Sequence, residues 1–259
     1  MSRADTLMPL LQAPWRDRDG EQLSVTALPP LASNTIEHLN SQWTGTLTAE
    51  MRKLLQRSCG LSGTPLGCID FTGCWYQEEP LSIFRPSITL AIDNEGRRWI
   101  AEVGRKRGLP GPVWCVLPRP EVAMFVDRSL ADFLVRLHSH LRRNSLSQWF
   151  TSLQSRARTL WATRHARAIA VPVAFTRLRE LRGWLAELPI NARVYDLRNP
   201  GLSRGLPYGL AHEGGGWYRC GRLPVFALIV PPVPALDVPV QEVRATNHLG
   251  GIACPVAPC

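Results

Sequence analysis

Lysine is nearly missing from this chain: of its 30 basic residues only Lys53 and Lys106 are not arginine. So lopsided a preference reflects the codon usage of a GC-rich genome more than a chemical demand for guanidinium groups. Long apolar runs are missing too. The longest, Val225 to Val230, is strand-sized, far below the roughly 18 residues of a membrane helix, and no membrane association is expected. Met1 to Leu10 lacks the apolar core and small-residue cleavage site of a secretory leader, so a cytoplasmic location is expected. The seven cysteines are odd in number and include no C-x-x-C pair. That argues against a disulfide framework and against paired zinc ligands, and points to reduced, mostly buried thiols. Cys259 is expected to be the most exposed and reactive.

The familiar catalytic spacings are incomplete as well. His212-Glu213 opens like the H-E-x-x-H zinc motif, but Gly216 occupies the second histidine's place. The triple glycine there lacks the strand, helix and Lys-Ser/Thr of a phosphate loop, and a glycine-rich hairpin is expected. His138 and His140 lie two apart on a predicted helix, on different faces, and are expected to be solvated. Glu78 and Glu79 are adjacent, and a strand would send them to opposite sides. Neither enzymatic turnover, nor a cofactor, nor a metal is expected.

What is present is a mixed pattern in a chain of 259 residues, long enough for two modest domains. Ile88, Leu90 and Ile92 alternate as on a half-buried strand. Asp93-Asn-Glu-Gly96 supplies turn chemistry, and Trp99 to Val103 runs back. After Gly108 to Pro112 come two more strands, Val113 to Leu117 and Val122 to Val126. Ser129 is placed to cap a helix, with Asp132 three residues on. That helix carries Leu130, Phe133, Leu134, Leu137 and Leu141 on one side. Upstream, a helix begins near Thr35 with Ser33 or Asn34 available as cap. A second starts at Thr48 and ends near Gly60, and a long linker follows.

These features resemble the SMI1/KNR4, or SUKH, superfamily. The residues carrying the resemblance are Ile36-Glu37, Leu39, Leu47, Leu54-Leu55, Gly60, Asp93 to Gly96, Gly111 to Val113 and Ser129 to Leu134. It spans about residues 30–145. The chain departs from the family pattern at Thr46-Leu47, where a proline is often found, and in the linker over 60–86. The resemblance implies an α+β fold, an antiparallel meander sheet flanked by helices. It also implies a bacterial immunity protein that binds and neutralises a cognate toxin by stoichiometric occlusion.

The predicted organisation is an N-terminal arm (1–29), the SMI1/KNR4-like domain (30–147), a smaller C-terminal α/β domain (148–230) and a proline-rich tail (231–259). In the C-terminal part a helix over 152–168 is followed by a strand over 168–175, bulged or at an edge because of Pro172. Thr176 would cap a helix bearing Leu178, Leu181, Leu185 and Leu188, stopped by Pro189. Strands follow at Arg193 to Leu197 and Pro224 to Val230.

Charge is unevenly spread. Residues 1–150 hold 17 basic and 15 acidic side chains, whereas 151–259 hold 13 and 6. Arginines 156, 158, 164, 167, 177, 179 and 182 are opposed locally only by Glu180. With Trp161 and Trp184 they could contact phosphates and stack on bases, so a nucleic-acid-binding reading of 156–182 stands as the alternative, disfavoured because no nucleic-acid fold is visible. On the preferred reading the partner is a toxin offering an acidic or neutral face. The expected partner-binding residues are Trp75, Tyr76, Glu78 and Glu79, on the linker loop where the family pattern is broken, together with Arg164 and Arg167.

Overall fold

The structure is a computed structural model that describes residues 3–42, 47–74, 82–84, 86–103, 108–198, 205–213, 216–221 and 223–229. The proline-rich tail lies outside the described residues.

The N-terminal segment is built into the fold. Helix α1 (Arg3–Gln12) buries Leu7 completely, and Trp15 and Val25 join the same core. Strand β1 (Thr26–Ala27) follows. Helix α2 (Ser33–Gln42) starts one residue ahead of a cap at Ser33 or Asn34, with the Ile36 amide on the Ala32 carbonyl. Helix α3 (Ala49–Leu55) begins as the sequence implies: Thr48 Oγ accepts the Met51 amide at 3.1 Å. The segment expected as linker contains a hairpin, β2 (Gly60–Thr64) and β3 (Gly67–Asp70), and β1 completes a three-stranded antiparallel sheet.

Then comes the meander: β4 (Ser87–Ile92), β5 (Arg98–Glu102), β6 (Val113–Pro118) and β7 (Glu121–Asp127), each antiparallel to the next. Helix α4 (Leu130–Arg142) is capped by Ser129, whose Oγ accepts the Asp132 amide and donates to the Asp132 carboxylate at 2.7 Å. Its apolar stripe, Leu130, Phe133, Leu134 and Leu137, is buried, and each such side chain contributes about 1.5–3 kcal/mol relative to exposure. Helix α5 (Leu146–Ala162) turns back from it.

The C-terminal half departs more from the sequence pattern. Strand β8 is two residues long (Ile169–Ala170), and Val171–Arg177 is helix α6, with Pro172 in its first turn. Proline suits that place, because the amide it lacks would be unbonded there anyway. Thr176 therefore sits inside a helix, its hydroxyl donating to the Val173 carbonyl. Of the leucines beyond it, Leu181 lies in a 3-10 turn and Leu185 in the short helix α7 (Arg182–Ala186). Strand β9 (Arg193–Asp196), the two-residue β10 (Gly205–Leu206), a 3-10 segment Tyr208–Glu213, β11 (Gly216–Arg219) and β12 (Val225–Ile229) are the last of the described elements. Of the triple glycine expected in a hairpin, Gly216 begins β11, and Gly214 and Gly215 lie outside the described residues.

The result is an α+β fold with antiparallel sheets. The second sheet has the order β10-β7-β6-β5-β4 and the third β11-β12-β9-β8. Helices and the N-terminal sheet cover one face of the second sheet, where Trp99, Val113, Cys115, Leu117 and Met124 point. The third sheet covers the other face through Tyr195, Phe226 and Leu228 against Ile100, Trp114 and Val116. The meander strands are therefore buried on both faces, not one. Helices α6 and α7 pack on the far side of the third sheet.

Contacts cross the 147/148 boundary. Helix α5 places Leu153, Ala157 and Leu160 in the same cluster as α4, and β10 pairs directly with β7. A Cβ on Gly205 would fall 2.6 Å from Leu160 Cδ1 and 2.7 Å from Met124 Sδ, so a larger residue there would make both side chains shift. A buried ion pair ties the sheets further: Glu102 on β5 accepts the Trp114 indole N–H at 2.8 Å and meets Arg219 of β11 at 2.8 Å.

Candidate binding surface

Of the predicted contact residues, Trp75, Tyr76, Glu78 and Glu79 lie outside the described residues. Arg164 and Arg167 are brought together at the C-terminal end of α5, where both fold back on their own chain. Arg164 Nη1 donates to the Trp161 carbonyl at 2.9 Å, and its guanidinium lies 4.6 Å from the Trp161 ring centre. Arg167 Nε donates to Thr163 Oγ1 at 2.7 Å. Cations at a helix C-terminus offset the partial negative charge of its last carbonyls. Arg182 is engaged likewise, donating to the Phe175 carbonyl and lying over its ring. Arg156, Arg158, Arg177 and Arg179 are exposed.

The groups most often used in chemistry are packed into the fold. His138 meets Trp15 edge-on at 5.0 Å, and His140 stacks flat on Trp149 at 4.7 Å with Nδ1 2.9 Å from Ser145 Oγ. Both are half-buried rather than fully solvated as expected. Burial, then Arg142, pushes the His138 pKa down; burial, then Arg136 and Arg143, does the same for His140. Cys59 and Cys115 are buried, and desolvation raises both thiols, that of Cys115 far above the usual range. Cys74 is exposed, and Cys259 lies outside the described residues. Asp127 is held by Arg136 through both carboxylate oxygens at 3.0 Å. Burial nevertheless outweighs that pairing and raises its pKa. Among the described residues no His, Cys, Asp or Glu cluster is arranged to hold a metal, and no helix is long and apolar enough to cross a membrane.

The outer face of α4 is open. Val135, Ser139 and Arg143, spaced four residues apart, form a straight ridge with an open cleft on each side. The first cleft, about 660 Å³, lies between the ridge and the N-terminal segment and is lined by Arg18, His138 and Arg142. The second, about 810 Å³, lies toward the end of β7 and is lined by Phe125, Arg128, Asp132 and Arg136. Val135 is 44 % exposed, an uncovered apolar group at one end of the ridge, beside clefts lined with arginine. From Phe133 to Arg179 the sequence has no aspartate or glutamate but nine arginines. That acid-free run is the signal in the sequence that could have pointed to α4; the arginine group taken from 156 onward began one helix too late.

No family model, no curated protein and no solved structure matches the chain.

Proposed function

We propose that the protein acts by binding, as an immunity protein of the SUKH type that occludes a toxin stoichiometrically in the cytoplasm. The observation that carries the reading is the α4 ridge: a cationic, partly apolar relief with open clefts on both sides, suited to a macromolecular surface. The local order of elements agrees with the resemblance. Ile36 and Leu39 of α2 and Leu54 and Leu55 of α3 are buried in the core that receives α4. Gly60 opens β2, Asp93 to Gly96 turns β4 into β5, and Ser129 caps α4.

The nucleic-acid reading keeps one argument, the arginines of the acid-free run. The aromatic faces it needs are committed elsewhere, since Trp161 carries the Arg164 guanidinium and Trp184 packs against the α6–α7 cluster. Base stacking requires a free ring face.

The test is co-expression in a bacterial host with the product of each adjacent open reading frame. Rescue of growth from one toxic neighbour, with a one-to-one complex isolated from the cells, is expected. Absence of toxicity in every neighbour, or rescue without a complex, overturns the reading.

A further inference from the structure

We infer that the α4 ridge docks an acidic protein segment carrying an apolar side chain, a segment that straddles Val135, Ser139 and Arg143 and places carboxylates in the clefts on either side. The inference rests on the binding role proposed above and names the surface and the partner's chemistry.

Three observations carry it. The first is relief. Ser139, which lines both clefts, has the smallest side chain of the ridge, so a partner backbone can approach α4 between Val135 and Arg143 while its side chains descend into both clefts. The second is charge. Arg18 and Arg142 stand on one wall, Arg128 and Arg136 on the other, and Arg143 borders both. The acids of the second cleft are already engaged: Asp127 by Arg136, and Asp132 by the Ser129 hydroxyl and amide network at the helix cap. An incoming carboxylate therefore meets guanidinium groups whose positive charge exceeds the local negative charge. The third is Val135, which lies on the outer face of α4, opposite its buried stripe, and is left exposed there. A second copy of this chain would bring like charges together on the same ridge, which opposes self-association. A duplex nucleic acid would satisfy the arginines but leave Val135 without a partner.

The ridge is rigid enough to act as a preformed site. Phe133, Leu134 and Leu137 anchor α4 from beneath, and His138 and His140 are held on its flanks by Trp15 and Trp149. Preorganisation of this kind lowers the ordering cost of association.

The experiment titrates the full chain with a fluorescent glutamate-rich peptide bearing leucine at every fourth position, and separately with a duplex DNA oligonucleotide. Arg142→Glu/Arg143→Glu is expected to weaken the peptide by tenfold or more, on the order of what close charge pairs contribute. Val135→Asp is expected to weaken it several-fold, and the wild-type affinity should fall as salt rises. Arg177→Glu/Arg179→Glu, away from the ridge, should leave peptide affinity unchanged. Thermal melts confirm that these exposed changes leave the fold intact. Equal losses from both arginine pairs, no peptide binding, or tighter DNA binding that depends on Arg142 and Arg143 overturns the inference. The same variants are then carried into the co-expression assay. If the wild type neutralises a neighbouring toxin and Arg142→Glu/Arg143→Glu does so equally well, the docking surface is wrong while the immunity reading stands. If the wild type neutralises none, that reading fails and the peptide titration still decides the surface.

Discussion

Removing the Asp93 carboxylate should cost more than any other single change in the β4–β5 turn. Oδ1 accepts the amides of Glu95 and Arg97 at 3.0 and 3.1 Å, and Oδ2 accepts Arg97 Nε at 2.7 Å and Trp99 Nε1 at 3.1 Å. The ion pair is buried, with side chains only 6 % and 2 % exposed, and the guanidinium lies 4.3 Å from the Phe150 ring centre. In Asp93→Ala, Arg97 keeps only the solvent-facing Glu95 carboxylate, and the Trp99 indole N–H is stranded. Breaking one side of a buried pair costs about 3–5 kcal/mol, a large part of a total stability of about 5–15 kcal/mol. At about 2–4 °C per kcal/mol for a chain of this size, Tm should fall by roughly 6–20 °C. Asp93→Asn should be intermediate, because its amide nitrogen would confront the Arg97 and Trp99 donors. The decisive variant is Asp93→Ala/Arg97→Met, which removes the stranded cation and should recover most of the loss. Urea and thermal denaturation followed by tryptophan fluorescence and circular dichroism measure each step. A double variant no more stable than Asp93→Ala, or an Asp93→Ala cost below about 1 kcal/mol, would refute the reasoning.

Three further outcomes are expected. Arg219→Ala takes from the buried Glu102 the guanidinium that meets it at 2.8 Å and should cost about 1–3 kcal/mol in urea denaturation. The lowered pKa values of His138 and His140 mean that the unfolded chain takes up protons near 6.5 while the folded one resists them. Stability is therefore full above that pH and lost as pH falls toward the folded values, and His138→Phe/His140→Phe should flatten the fall in a Tm-against-pH series. Gly63→Ala places a Cβ 2.3 Å from the Ser24 carbonyl at a φ of +68°, and should cost about 2 kcal/mol or more by chemical denaturation.

The meander and the capped α4 were legible because several local signals agree there: alternating apolar residues, Asx turn chemistry and a serine cap with an acid three residues on. The β2–β3 hairpin was not, since Gly60-Leu-Ser-Gly-Thr64 has two glycines and little of the branched and aromatic content that marks strands. At Val171-Pro-Val-Ala-Phe175 the branched and aromatic residues suggested a strand, but Pro172 fits the first turn of a helix equally well, and packing of Val171 and Ala174 decided the matter. The burial of the meander on both faces could be read only with its covering layer in hand, and that layer is made of strands remote in sequence. The site was less legible still. Arg164 and Arg167 look like free cations in a sequence, yet their donors close on carbonyl and hydroxyl groups within one turn. The α4 ridge depends on what α4 leaves uncovered, which no single helix pattern records.

The pairing of β10 with β7 has a consequence for how the chain must be made. Gly205 and Leu206 reach Met124 and Ala123 across about 80 residues of sequence, and the third sheet that roofs Trp114 is completed later still, with β12. At a synthesis rate of roughly 5–20 residues per second, the nascent meander waits on the order of ten seconds for its outer strand. During that time the β7 edge carries unpaired amides and carbonyls, and the face bearing Trp114 and Ile100 has no cover. Such an edge is a template for pairing with another chain. A fragment ending after α4 would remain in that state indefinitely, so the last strands act during biogenesis as a guard against aggregation of the first.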